Sequence, residues 1–366
     1  MENYIFTSES ITEGHPDKIC DLISDTILDE ALKVDSDSKM AVEATIKDDF
    51  ILIYGEANTK AKLDYEKIAK KTIKDIGYQE DYEIKIKVNI QSPEITMAVN
   101  QQGRTCAGDQ GIMFGYACDD TVELLPMPIY YANKLAKKLT DVRKSNPSIL
   151  LPDGKTQVSV EYRNNKPYRI SSIIIACQHI REISKSELYK YILEKVIKPT
   201  IDEKLLDDKT DIMVNTSGSF TIGGSFGDSG TTGRKIVCDS YGGMGRIGGG
   251  CFSSKDPSKV DRSAAYYCRY VAKSIVGNKL ADKCEIQVAY TIGKEEPISL
   301  FLDTFSTNKI PENEIFRIIK ENFDFSVSNI IHELDLKRPI YTSTCCYGQF
   351  GNLDSTWENI KELKVK

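Results

Sequence analysis

The chain has 366 residues, a formal net charge of −6, 40% hydrophobic residues and 28% charged residues. That length exceeds one ordinary core and predicts two or three domains. The acidic balance excludes a global basic field for nucleic acid, so any anion site must be a local cluster of Lys and Arg.

No stretch approaches the roughly 18–20 uninterrupted apolar residues of a membrane span. Residues 1–10 lack the basic and apolar regions of a signal peptide. The ten cysteines include no C-x-x-C pair, and only Cys345 and Cys346 are adjacent. They read as reduced thiols of a cytoplasmic protein. With three histidines, His15, His179 and His332, and no ligand spacing, a Cys/His zinc site is not expected.

A first helix opens after Pro16 and carries Ile19, Leu22, Ile23, Ile27 and Ala31 on one face. Residues 40–46 and 51–56 alternate around Lys47-Asp48-Asp49 and predict a hairpin. An amphipathic helix over 63–76 and a strand over 82–90 follow. The same order returns with a helix near Ile129, a hairpin over 157–162 and 168–178 turning at Asn164-Asn165, a helix over 186–197 and a strand over 211–215. A third pass has a helix from Ser258, a hairpin over 285–290 and 298–305, a helix over 312–321 and a last strand near 340–344. The pattern predicts an α+β fold of three related domains, each a mostly antiparallel sheet with helices on one face. Their expected spans are 1–100, 101–223 and 224–366. Two loops rich in glycine and polar residues, 91–111 and 218–256, separate the periodic segments, and long loops of this kind carry function.

Three places could hold chemistry. Pro16 can open a helix, which puts His15 and Asp17 at its N-terminus, where backbone N–H groups favour anions. An Asp there either caps the helix or holds a hard cation such as Mg²⁺. In the glycine-rich run, Gly243, Gly245 and Gly248 formally match a dinucleotide fingerprint, but more loop follows where a helix must begin. A Walker A motif is absent. Instead Arg246, Lys255 and Lys259 bracket the glycines, between Asp239 and Asp261, a composition suited to a polyphosphate and a bridging Mg²⁺. The turn Pro152-Asp153-Gly154-Lys155 presents Lys155, and Asp109 sits between glycines in Ala107-Gly108-Asp109-Gln110-Gly111. Glu43 is the polar residue of an apolar strand and faces water unless a cation or donors satisfy it.

Taken together, FTSESITEGHPDK at 6–18, AGDQGIMFGYA at 107–117, GDSGTTGRKIVCDSYGG at 227–243, KDPSKVDRSAAYYCRYVAK at 255–273 and CEIQVAYTIG at 284–293 resemble the methionine adenosyltransferase (S-adenosylmethionine synthetase) family, bacterial and eukaryotic type. The resemblance runs from about Tyr4 to Gly351. It implies pseudo-threefold symmetry among the domains, a homodimer with active sites at the interface, commonly paired into a homotetramer, and Mg²⁺ (two per site) and K⁺ as cofactors. ATP and L-methionine are the implied substrates. His15, Lys155, Arg246, Lys255, Lys259 and Asp109 form the implied catalytic set. Asp153, Ser219, Phe220, Asp239, Ile247 and Cys251 join His15, Lys155, Arg246 and Lys255 around ATP, with Phe220 stacking on adenine. Glu56, Gln91, Asp109, Asp239 and Lys259 orient methionine. Asp17 and Asp261 hold Mg²⁺, and Glu43 ligates K⁺.

In that family the methionine sulfur attacks C5′ of ATP, triphosphate leaves, and the triphosphate is then hydrolysed to phosphate and pyrophosphate. A thioether has no proton to lose, so no general base is needed. Preorganised cations on the leaving group are the right tool. The loop 91–106 resembles the family's gating lid. Departures from the common pattern are Asn215-Thr216-Ser217-Gly218-Ser219 in place of Asn-Pro-Thr-Gly-Arg, Ile247 in place of His, Ser254 in place of Gly, and a lid about two residues shorter. A regulatory subunit without catalysis is the rival reading, and the intact His15, Asp17, Lys155, Arg246, Lys255 and Asp261 argue against it.

Overall fold

The computed structural model describes residues 3–90, 100–101 and 104–364. In chain order, strand β1 (Asn3–Ile11) leads into helix α1 (Pro16–Leu32), the hairpin β2 (Lys39–Lys47) and β3 (Phe50–Asn58), α2 (Tyr65–Ile76) and β4 (Glu83–Asn89). Then come β5 (Gly111–Cys118), α3 (Met127–Ser145), the hairpin β6 (Leu150–Arg163) and β7 (Lys166–His179), α4 (Lys185–Ile192) and β8 (Asp211–Val214). The last third has the short β9 (Gly230–Thr231), α5 (Val260–Gly277), β10 (Lys283–Tyr290), β11 (Ser299–Asp303), α6 (Glu312–Asn322) and α7 (Val327–Glu333).

Local chemistry sets these elements. The β2–β3 hairpin closes on Lys47 opposite Phe50, and Asp48 takes a φ of 49° in its two-residue loop. The β6–β7 hairpin closes through Asn164 and Asn165 at φ 49° and 60°, the left-handed pair that Asn tolerates in a twist-matched turn. Along β2, Met40, Val42, Ala44 and Ile46 are buried under α1 while Ala41, Glu43 and Thr45 point to the other face.

The three larger sheets have the strand orders β9-β2-β3-β4, β1-β6-β7-β8 and β11-β10-β5, and Asn100–Gln101 pairs with Arg104–Thr105 as a separate short ribbon. Each larger sheet joins a hairpin to one strand from another third of the chain. The first third lends β1 to the second sheet, the second lends β5 to the third sheet, and the last lends β9 to the first. This cyclic exchange ties the three α+β units together across the expected spans 1–100, 101–223 and 224–366. Hairpin partners are antiparallel, whereas β4 and β8 run parallel to β3 and β7 after their crossover helices.

One predicted element differs. The segment expected as a strand near 340–344 is a helical turn, Tyr341–Thr344. The Asp29 carboxylate accepts the N–H groups of Tyr341 at 3.0 Å and Thr342 at 2.8 Å. These bonds tie the turn to α1, so the third sheet has three strands. The periodicity also passed over β1 and β5. Strand β5 is buried on both faces and shows little alternation.

Helix α5 is the centre of the molecule. Strand β5 crosses it at Gly115, where an added Cβ would lie 2.0 Å from the Cys268 backbone. One apolar core unites the first and third sheets with α1 and α5, and a second lies between the central sheet and α3. Among the described residues no helix is long and apolar enough to cross a membrane.

Candidate active site

The first cluster forms at the N-terminus of α1. Strand β1 runs antiparallel to β6 with Ile11 opposite Lys155. Beyond it Thr12 donates its hydroxyl to Pro152 O at 2.7 Å and its N–H to Gly154 O at 2.9 Å. Gly14 packs on Pro152, leaving no room for a Cβ. The turn 152–155 and the helix start are therefore one construction. His15 is the N-cap, and its Nδ1 accepts the Asp17 N–H at 3.2 Å. An accepting Nδ1 leaves Nε2 as the protonated nitrogen, a tautomer assigned from this hydrogen bond. Burial, then the charges of Lys235 and Lys155, push the His15 pKa down to about 4 against Asp17 and Asp228. The ring is neutral at physiological pH and presents an N–H donor.

Asp17 is 1% exposed. It accepts the Thr231 N–H at 2.9 Å, is closed upon by the Lys235 ammonium, and lies 3.4 Å from Arg234 Nε. Burial acts to raise its carboxyl, but the hydrogen bonds from Lys235 and Thr231 hold it below the usual range. Arg234 and Lys235 are functional candidates the sequence reading missed. They stand in GDSGTTGRKIVCDSYGG at 227–243, ahead of the glycines that Arg246, Lys255 and Lys259 bracket. The strand β9 brings them in, because Gly230 lies directly on the Pro16 carbonyl.

The second cluster lies on the outer side of β2. Lys255 bridges Ala41, and its ammonium is 2.6 Å from Asp261 Oδ2. Gly250 and Gly111 flank Asp261, and at Gly250 an added Cβ would fall 2.0 Å from its Cγ. Glu43 accepts the Tyr54 hydroxyl at 3.2 Å. Burial raises the Cys251 thiol, which also feels Lys255, Glu43, Asp21 and Asp261. Gly233, at φ 84°, packs on Cys251 and joins the two clusters. Exposed Glu56 pairs with Ala41 across the β2–β3 ladder, beside Lys255.

Most other expected residues are held by partners of their own. Lys155 pairs with Glu9 at 2.8 Å on the outer side of the β1–β6 ladder. Lys259 is 2.7 Å from Asp256, which also accepts the Met40 N–H. Arg246, with its side chain 56% exposed, is held by Glu285 at 2.6 Å over the third sheet. Its neighbour Ile247 precedes Gly248, which lies against the Ile112 carbonyl. Asp153 accepts the Gly224 N–H at 2.8 Å, and burial pushes its carboxyl up to about 6. Phe220, next to Ser219, donates its N–H to His179 Nε2 at 3.1 Å and accepts the His179 N–H on its carbonyl at 2.9 Å. Asp239 is 4% exposed, bound to Lys18 Nζ at 2.5 Å. Asp109 is exposed and accepts the Gln110 N–H at 2.7 Å. Gln91 lies outside the described residues, as does most of the expected lid. A cavity of about 800 Å³ between α1 and α2 shares only Glu13 with the N-terminal motif.

No group of three or more His, Cys, Asp or Glu side chains stands ready for a metal among the described residues. Single buried carboxylates beside cations fit Mg²⁺, which keeps several waters and is held by one or two carboxylates plus substrate phosphates. Asp17, 1% exposed, and the half-buried Asp261 each stand beside a lysine in this way, and Glu43 retains acceptor capacity for K⁺.

Three interlocked α+β units carry Lys, Arg and Asp at a helix N-terminus and at a glycine-rich loop, an arrangement with the charge to receive an anion. The N-terminal, central and C-terminal domain models of S-adenosylmethionine synthetase match residues 3–104, 104–220 and 222–359. The chain is 48% identical over 376 residues to the S-adenosylmethionine synthase of Syntrophobacter fumaroxidans, covering 98% of this chain and 96% of that one. It is 48% identical over 374 residues to that of Sorangium cellulosum, covering 98% and 88%. The chain belongs to the S-adenosylmethionine synthetase family.

Proposed function

We infer that this chain synthesises S-adenosylmethionine from ATP and L-methionine and then hydrolyses the triphosphate to phosphate and pyrophosphate. The observation that carries the residue roles is the α1 N-terminus, where a neutral His15 stands among Lys155, Arg234, Lys235 and Asp17. His15 donates Nε2–H toward the bridging oxygen that leaves C5′. Lys155, Arg234, Lys235, Lys255 and Arg246 take up the charge that gathers on the triphosphate. Fixed cations at such a position stabilise the transition state more than the bound substrate. The methionine sulfur attacks with its own lone pair, and its carboxylate and amine are oriented by Lys259, Asp109, Glu56, Gln91 and Asp239. Phe220 covers adenine, with Asp153, Ser219, Ile247 and Cys251 around the nucleotide.

Asp17 and Asp261 would hold Mg²⁺ and Glu43 would hold K⁺. The divalent ion supplies charge neutralisation on the phosphate oxygens. In its absence Lys235 and Lys255 neutralise the same two carboxylates. The two clusters are the halves of sites completed in a homodimer, itself paired into a homotetramer, in the cytoplasm. A regulatory subunit without catalysis is disfavoured, because no cation of the set is missing. The test is a product assay with ATP, methionine, Mg²⁺ and K⁺, beside Lys255→Ala. S-adenosylmethionine with phosphate and pyrophosphate, lost in the variant, supports the reading. A folded protein that binds ATP and yields no adduct overturns it.

A further inference from the structure

Two adjacent thiols lie behind the first cluster. Cys345 is fully buried at the end of the 341–344 turn, its sulfur 3.7 Å from the Ser253 hydroxyl, and the half-buried Cys346 follows it directly in the chain. Cys346 lines a cavity of about 380 Å³ between α3 and the 343–354 segment, beside Tyr130, Asn133, Lys134 and Phe350. One sulfur is thus reachable from a cavity and the other waits behind it. The Cys345 carbonyl accepts Lys18 Nζ at 3.0 Å. Lys18 also holds Asp239 at 2.5 Å and Asp21 at 2.9 Å, and stands in the first turn of α1, three residues from His15. Gln349 N–H binds the Asp239 carbonyl at 2.8 Å, a second link from this segment.

We propose that Cys345 and Cys346 are an oxidation site, closing to a vicinal disulfide that lowers synthesis by releasing Lys18 from the Cys345 carbonyl. The oxidant is a small hydroperoxide. The Cys346 sulfur attacks the terminal peroxide oxygen, the O–O bond breaks, an alcohol or water leaves, and Cys346 becomes a sulfenic acid. The Cys345 sulfur then attacks the Cys346 sulfur, and hydroxide leaves with the Cys345 proton as water. Two thiols are oxidised and one peroxide is reduced.

The geometry makes this closure costly and reversible. Adjacent Cα atoms across a trans peptide are about 3.8 Å apart, below the roughly 4.4 Å at which disulfides usually begin. The 345–346 peptide is part of the ring, so its carbonyl must turn. Lys18, buried between two carboxylates, then loses an acceptor, and the start of α1 shifts with it. Strained disulfides are readily reduced, so a dithiol resets the site.

The experiment treats the whole protein with hydrogen peroxide, then alkylates it and maps it by mass. The expected result is loss of two hydrogens in the peptide carrying both residues, protection of both from alkylation, and a fall in synthesis of about tenfold. Dithiothreitol restores both. Cys346→Ser keeps untreated activity and resists the loss, and Cys345→Ala serves the same purpose if the first variant folds poorly. Oxidation of other cysteines without this cross-link overturns the proposal, as does a cross-link that leaves synthesis unchanged. The activity measurement rests on the function inferred above. If the untreated protein makes no product, the mapping alone decides: absence of the cross-link sinks the site, and its presence upholds the site but not its effect on synthesis.

Discussion

Lys255 Nζ lies 2.6 Å from Asp261 Oδ2, so a proposed phosphate cation and a proposed metal ligand hold each other. In the proposed reaction the phosphates of ATP would take Lys255 and Mg²⁺ would take Asp261. Lys255→Ala removes the cation and is expected to lower the rate by about 10²–10³ with the fold retained. Steady-state product formation and far-ultraviolet circular dichroism check it. A fall of less than about tenfold would remove Lys255 from the phosphate site.

Gly250 is shaped to Asp261. A methyl group there meets its carboxylate within 2.0–2.5 Å, so the side chain must move. Gly250→Ala is expected to raise the Mg²⁺ concentration needed for half-maximal rate several-fold, with little change in melting temperature. A Mg²⁺ titration of both proteins reads it, and an unchanged midpoint would place the metal elsewhere.

Lys235 depresses the His15 pKa, after burial itself. Lys235→Met removes that charge, so the pKa must rise from about 4 toward the ordinary value of 6.5. The imidazole C–H signals of only three histidines need assignment in a nuclear magnetic resonance titration. The same variant is expected to lose about 10² or more in rate. A His15 titration that does not move would show that Lys235 is not its neighbour in solution.

Lys18 faces two buried carboxylates, Asp21 and Asp239, and one ammonium cannot neutralise both. Burial, with Asp21 adding, pushes Asp239 up to about 7 from 3.8. The folded state therefore binds more protons than the unfolded state between about pH 4 and 7, and stability falls as pH rises through that window. Thermal melts from pH 5 to 7 should decline less steeply in Asp239→Asn than in the parent. Parallel curves would mean that Asp239 is ionised throughout.

Glu358 is buried between Arg269 at 2.9 Å and Lys273 at 2.6 Å. Burial acts to raise its carboxyl, but Arg269 and Lys273 hold it below the usual range. Its contribution is present above the unfolded pKa and lost as pH falls through the folded one. Glu358→Gln leaves two buried cations without a counter-charge and should cost about 3–5 kcal/mol. Urea unfolding at neutral pH measures it, and a loss below about 1 kcal/mol would contradict the buried triad.

Much was legible from the chain alone. Helices α1, α3, α5 and α6 and the three hairpins follow from periodicity and turn residues, because these signals lie within short stretches of the chain. The placement of His15 and Asp17 at a helix start is short-range and follows from Pro16, whereas the ion pair of Lys255 with Asp261 is not read from the chain. What the sequence could not determine depends on residues far apart in the chain. The capture of β1 by β6, the descent of β9 onto Pro16 and the resulting approach of Lys235 to Asp17 across 218 positions are tertiary events. Spacing placed Arg246 beside the glycine-rich loop, but the partner that holds it, Glu285 on a strand 39 positions away, carries no signal along the chain. Residue type and local period decide which helices and hairpins can form. Only the packing of the three sheets decides which charges meet, because a buried ion pair depends on proximity in space and carries no period along the chain.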